Sequence, residues 1–283
     1  MKKYLLLPLT LFCVLVPVFA QNSTSDVATL MANAQSGDPK AQNSLGVKYY
    51  NGDGIAQNYE EAANWFERSA QQGNATAQNN LGFMYENGRG RAQDYTLAMK
   101  WYRMAAEQGY SSAQCNVGWL YENGLGVEQD YAEAFSWYTE AAAQGYAYGQ
   151  YSVGWYYDKG LSVAEDNEKA VQWYSLAAEQ GLADSQYMLG VMYEKGEGVP
   201  LDFDQAFQWF LEAASGVNIE AMMSVGFYYE FGLSPEEDPV QALAWYMIAS
   251  DYGNEEATKY VADFYNEVSA EQFQKAREIA DQF

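Results

Sequence analysis

The sequence predicts an all-α repeat fold, and three observations predict it. A glycine recurs every 36 residues, at Gly46, Gly82, Gly118, Gly154, Gly190 and Gly226. A tryptophan keeps the same period at Trp65, Trp101, Trp137, Trp173, Trp209 and Trp245, and an alanine at Ala62, Ala98, Ala134, Ala170, Ala206 and Ala242. Within each period the apolar spacing is that of two amphipathic helices. One helical hairpin cannot bury both of its faces, whereas a stack of hairpins can.

The chain opens on a different kind of sequence. Met1-Lys2-Lys3 is a short basic start, Leu5 to Val18 is an uncharged apolar run, and Val18-Phe19-Ala20 places small residues where a signal peptidase reads. Residues 1–20 are therefore expected to be a secretory signal peptide cut before Gln21, and the run is short of the roughly 20 residues that span a bilayer. An exported protein, periplasmic or secreted, follows from that reading. The residues before Cys13 (Thr10-Leu11-Phe12) are not the small ones of a lipidation site. Cleavage would leave Cys115 alone, so no internal disulfide is expected.

The formal charge is −23, from 38 acidic and 15 basic residues, and loss of Lys2 and Lys3 would take it to −25. Such a chain repels nucleic acid and anionic membrane surfaces, which points to a basic or neutral partner. The remaining sequence has no run able to cross a membrane, and a monomer is expected.

Residues 21–28 read as a loose polar leader. Asn22-Ser23-Thr24 and Asn74-Ala75-Thr76 match a glycosylation acceptor pattern that matters only in a eukaryotic secretory route. Helical spacing begins at Ala28 and ends before Gly37, giving an N-terminal cap within 21–40. Asp38-Pro39 opens the next helix, with Asp as N-cap and Pro in the first turn.

Six contiguous copies follow, at 41–76, 77–112, 113–148, 149–184, 185–220 and 221–256. In the first, helix A runs from about Pro39 to Tyr50 with Ala41, Leu45 and Tyr49 on one stripe, and Asn51-Gly52-Asp53-Gly54 stops it. Helix B runs from about Tyr59 to Gln72, with Ala62, Trp65, Phe66, Ser69 and Ala70 on one face. The glycine beside Leu45 and the fixed alanines permit close helix approach. Later copies are worn: Gly216-Val217 replaces Gln-Gly, and Ser162 and Ser234 replace the second loop glycine. Residues 257–283 form the C-terminal cap, with a helix opened by Ser269 and Gln272 in capping-box spacing.

The residues that carry the period resemble a known family. Leu45-Gly46, Tyr49, Gly52-Asp53-Gly54, Ala62, Trp65-Phe66, Ala70 and Gln72-Gly73 resemble the Sel-one-like repeat, a relative of the tetratricopeptide repeat. The fullest match is Val117-Gly118, Tyr121, Gly124-Leu125-Gly126-Val127, Asp130, Ala134, Trp137-Tyr138, Ala141-Ala142 and Gln144-Gly145. The resemblance implies a right-handed α-solenoid acting as a scaffold, adaptor or regulator. It also supplies an alternative, since cysteine-rich relatives from Helicobacter carry a penicillin-binding or β-lactamase label. Those repeats are each held by a cysteine pair that this chain lacks.

The residues themselves argue against catalysis. There is no histidine, hence neither the usual general base nor the commonest zinc ligand, and no Ser-x-x-Lys. The Gly-x-Gly loops lie between helices, as helix stops rather than phosphate cradles. No cofactor or metal is expected, and an envelope hydrolase remains only the alternative.

Binding is more legible. With Leu45 at 0° on a helical wheel, positions 43, 47 and 50 lie at about 160°, 200° and 140°, opposite the packing stripe. Down the array the 47-type position reads Val47, Phe83, Trp119, Trp155, Val191, Phe227. The 43-type position reads Asn43, Asn79, Cys115, Tyr151, Tyr187, Met223, and the 50-type position Tyr50, Glu86, Glu122, Asp158, Glu194, Glu230. An aromatic row beside an acidic row on a face not needed for packing predicts a groove for a protein or peptide partner. The competing reading has the aromatics packed on the neighbouring copy and the acids on a solvated edge.

Overall fold

The computed structural model describes residues 24–233, 237–265 and 267–283. The expected signal peptide and the Asn22-Ser23-Thr24 acceptor fall wholly or mostly outside these residues, as does Ser234.

The described residues form fifteen helices and no strand, divided between two compact units, Met1–Ala141 and Ala142–Phe283. The first unit holds α1 (Thr24–Gln35), α2 (Pro39–Asn51), α3 (Tyr59–Gln71), α4 (Ala75–Asn87), α5 (Tyr95–Ala106), α6 (Ser111–Asn123) and nearly all of α7 (Tyr131–Ala143). The second holds α8 (Ala147–Lys159), α9 (Asn167–Ala178), α10 (Ala183–Lys195), α11 (Phe203–Ser215), α12 (Ile219–Phe231), α13 (Pro239–Asp251), α14 (Glu255–Phe264) and α15 (Ala270–Ala280). Even-numbered helices from α2 to α12 are the A helices, and odd-numbered ones from α3 to α13 are the B helices.

Two boundaries differ from the sequence reading. α1 starts at Thr24, so part of the expected leader is helical. The C-terminal cap is two helices, α14 and α15, because Asn254 starts a further A-type helix by accepting from the Ala257 amide. Ser269 and Gln272 do form the expected capping box on α15.

Helix starts and stops follow local chemistry. Asp38, Asn58, Asn74 and Asp94 accept from backbone amides in the first turn of α2 to α5, satisfying donors that helix geometry leaves orphaned. Left-handed glycines close the A helices, as Gly52 and Gly88 do for α2 and α4.

Packing within a hairpin depends on one contact. A Cβ placed on Gly82 would lie 2.6 Å from Cδ1 of Tyr102, and one on Gly46 would lie 2.6 Å from the Phe66 ring. The same juxtaposition joins Gly118 to Tyr138, Gly154 to Tyr174, Gly190 to Phe210 and Gly226 to Tyr246. Each glycine is thus a flat seat for a fully or nearly fully buried ring on the following B helix. The residue after each repeated tryptophan is therefore the deeper aromatic. Trp65 is buried against Ala34, Ala41 and Leu45, whereas the later tryptophans are half-buried.

Packing between copies uses buried amides. The side chain of Gln42 donates to the Ala34 carbonyl (3.1 Å) and that of Gln78 to the Ala70 carbonyl (3.1 Å), each reaching back to the preceding helix. Within its own copy each such glutamine is held by a second: Gln72 donates to Gln42 (2.7 Å), Gln108 to Gln78 (2.7 Å) and, in the second unit, Gln180 to Gln150 (2.7 Å). Asparagines form a second set, Asn80 donating to Asn43 (3.0 Å) and Asn116 to Asn79 (2.9 Å).

The worn joint at Gly216-Val217 is strained. Val217 sits at φ 66°, where Gly73, Gly109, Gly145 and Gly181 stand in other copies, and a Cβ on any of those glycines would meet nothing within 4 Å. The strain is thus in the backbone of a β-branched residue, which the left-handed region disfavours. Val217→Gly is expected to stabilise the second unit by about 1 kcal/mol, read as a higher denaturation midpoint at unchanged slope.

Candidate partner-binding face

The face opposite the packing stripe is built by the 43-, 47-, 50- and 51-type positions of the A helices. It is partly open. Val47, Phe83 and Trp119 in the first unit, and Trp155 and Val191 in the second, are half-buried, while Phe227 is 42% exposed. Phe83 and Trp119 rest against the apolar clusters of their unit, so each ring has one side on the core and keeps part of its surface outward.

The 43-type position is deeper than the wheel predicts. Cys115 and Asn79 are buried, and so is Tyr151, whose ring centroid lies 5.7 Å from that of Tyr174. Tyr187 is half-buried and lies 5.7 Å from Phe210. Tyr151 is thereby corrected from an open contact to a core residue: the close approach of the A and B helices draws this position under the B-helix ring.

The acidic row is also not a free edge. Glu122 accepts from the Tyr138 hydroxyl at 2.7 Å, Glu230 from Tyr246 at 2.6 Å, and Glu86 from Tyr102. Asp158 is buried, accepts from Tyr174 at 3.4 Å and pairs with Lys159 at 2.8 Å. The donor is always the B-helix ring seated on the repeat glycine, 16 residues after the acid. The fifth copy has Phe210 in that place, and Glu194 instead lies beside Tyr228, whose phenol is pushed upward first by burial and then by the Glu194 charge. In the first copy the acid is replaced by Tyr50 and the ring is Phe66. The carboxylates therefore orient core tyrosines, and Asp158 is corrected from an exposed steering charge to a buried one.

Burial raises the pKa of Glu86 and of Glu122 above the usual carboxylate value, and the tyrosine hydrogen bond only partly opposes it. A raised folded-state pKa means that the native state holds its protons more tightly than the unfolded chain. The cost of these carboxylates is then absent below about pH 4.5 and grows as pH rises through the folded values. Glu86→Gln with Glu122→Gln should gain stability relative to the parent at pH 7 and show little difference at pH 4, by urea denaturation at both pH values.

Residues missed by the sequence reading complete the face. At the 51-type position, Asn87 donates to the Phe83 carbonyl (3.1 Å) and Asn123 to the Trp119 carbonyl (2.8 Å). Lys159 instead places its ammonium 4.7 Å from the Trp155 ring centroid. Arg89 reaches across from its loop to the Tyr50 hydroxyl, its guanidinium 5.8 Å from the Phe83 ring. Two aromatic residues of the face thus already carry a built-in cation. Reading the 51-type position beside the 47-type one would have suggested this for Trp155.

Among the described residues no group of His, Cys, Asp and Glu could hold a metal ion, and no helix is long and apolar enough to cross a membrane.

The Sel1 repeat family model matches residues 39–74, 75–110, 111–146, 147–182, 183–218 and 219–254, framing each copy two residues earlier than the internal alignment does. The structure is similar to that of a Sel1 repeat protein from Oxalobacter formigenes: 35% identity over 81% of this chain and 97% of that one, TM-score 0.73. It is similar also to c5321, a protective antigen of uropathogenic Escherichia coli with this repeat fold: 31% identity over 90% of this chain and 64% of that one, TM-score 0.66. The likeness to cysteine-rich protein B of Helicobacter pylori is smaller, 26% identity over 44% of this chain and 89% of that one, TM-score 0.37. A comparison with curated proteins finds no match.

Proposed function

The chain belongs to the Sel1 repeat family, whose members generally mediate protein–protein interaction, and from that premise we propose a non-enzymatic scaffold that holds a protein or peptide on its A-helix faces. One observation carries the reading. Four of six A helices place an aromatic residue (Phe83, Trp119, Trp155, Phe227) at the 47-type position, and each keeps part of its ring outward instead of sealing it in the core. Aromatic residues so placed supply most of the energy at protein interfaces. The outward parts of Glu86, Glu122, Glu194 and Glu230 leave the face acidic, which favours a basic or neutral partner.

The hydrolase alternative finds no support in the residues of the face. Export to the periplasm or beyond belongs to the proposal on the strength of residues 1–20, and a mature N-terminus other than Gln21 would remove that support.

The test is affinity capture with chemical crosslinking in the native extract, using Trp119→Ala in the first unit and Trp155→Ala in the second. A protein crosslinked by the parent should be lost or strongly reduced with the double variant while helicity and melting are retained. Equal crosslinking by a folded double variant would overturn the reading. Nitrocefin turnover that disappears on changing one polar residue would favour the hydrolase instead.

A further inference from the structure

The sixth copy departs from the others at the 51-type position. That position reads Asn51, Asn87, Asn123, Lys159, Lys195 and then Phe231. Phe231 is 56% exposed and lies 4.5 Å, centroid to centroid, from Phe227, itself 42% exposed. Where α4 and α6 turn the 51-type amide back to the carbonyl of their 47-type residue and α8 sets an ammonium by its ring, α12 adds a second ring and leaves both outward.

α8 shows what the missing group does. There Lys159 sits 4.7 Å from the Trp155 ring centroid and 2.8 Å from Asp158, which also accepts from Tyr174. α12 repeats every other part: Phe227 for Trp155, Glu230 for Asp158, and Tyr246 bonded to Glu230 at 2.6 Å. Only the cation is absent, replaced by an apolar ring. The surroundings favour a cation supplied from outside, because residues 142–283 contain 24 acidic against 6 basic residues. That charge would also oppose a second copy of the chain at the same place.

We propose that α12 receives a basic segment of a partner protein, a lysine or arginine over Phe227 beside Glu230, with a neighbouring aliphatic side chain on Phe231. Cation–π attraction and apolar burial act together there, and the acidic surroundings attract the segment at a distance. The inference rests on the protein-binding reading and names its partner chemistry.

The experiment uses the full chain and a fluorescein-labelled peptide of alternating lysine and leucine, followed by fluorescence polarisation at low and physiological salt. Phe227→Ala with Phe231→Asn keeps every charge and restores the asparagine of α2, α4 and α6. Binding to the parent is expected, about tenfold weaker binding to this double variant, and none by a glutamate–leucine peptide. Equal affinity of parent and double variant would reduce the interaction to bulk charge and overturn the assignment, as would equal binding of the acidic peptide. A dimer in sedimentation that Phe231→Asn disperses would assign the rings to self-association and overturn it too. Both side chains are exposed, so unchanged melting is expected to confirm that the variant folds. If these substitutions change nothing while Trp119→Ala and Trp155→Ala abolish partner crosslinking, the scaffold reading stands and the α12 assignment alone fails.

Discussion

Gly82→Val should destabilise the first unit by about 3 kcal/mol. The reason is geometric. Even the first added carbon would stand 2.6 Å from Tyr102, and that ring is fully buried and tied through its hydroxyl to Glu86. It cannot swing away without breaking the bond and leaving a half-buried carboxylate unmatched, so α4 and α5 must separate. Helix propensity favours valine over glycine, but by only a few tenths of a kcal/mol, too little to offset the clash. Thermal and denaturant unfolding would measure it. Gly73→Ala is the natural comparison: at φ 88° with open space around its Cβ, it should cost about 1 kcal/mol through the backbone alone. Near-equal losses for the two would mean that the ring contact contributes little.

Gln78→Leu is expected to cost about 2 kcal/mol for a different reason. Gln78 is 1% exposed, donates to the Ala70 carbonyl and accepts from Gln108. A leucine of similar size removes both bonds and leaves a buried carbonyl without this donor. The sixth copy indicates how the cost can be recovered. There the corresponding pair is Met222 and Tyr252, so amide and partner have been exchanged together. Gln78→Met with Gln108→Tyr should therefore be less destabilised than the sum of its single variants, and a double-mutant cycle by urea denaturation would measure the coupling. Additive losses would show that the two glutamines act independently.

The frame of this fold was legible because stacking imposes the same demand every 36 residues. Gly46 and its counterparts, Ala62 and its counterparts, and the capping box at Ser269 could be read without coordinates. Depth around the helix was harder. Position 43 lies nearly opposite Leu45 on an ideal wheel, yet Tyr151 is buried because the glycine seat draws the B helix across it. The acidic row looked solvated because a wheel treats one helix at a time. Its tyrosine donors stand on the next helix, and the clue was the pairing within the array. An acid at 86, 122, 158 or 230 accompanies a tyrosine at 102, 138, 174 or 246, and where position 50 is tyrosine, position 66 is phenylalanine. The Phe227–Phe231 pair was half legible: Phe227 was visible in its row, but Phe231 lay just outside the positions compared.

The bonds between neighbouring copies have a further consequence for how the protein is made. The side-chain hydrogen bonds that join copies span 8 to 39 residues, from Gln78 with Ala70 to Arg89 with Tyr50. Among the described residues these bonds reach about one repeat. A newly made segment therefore meets its whole set of partners as soon as the next hairpin exists, and loop closure is never long. The chain can acquire structure in the order of its synthesis, each hairpin serving as the template on which the following one docks.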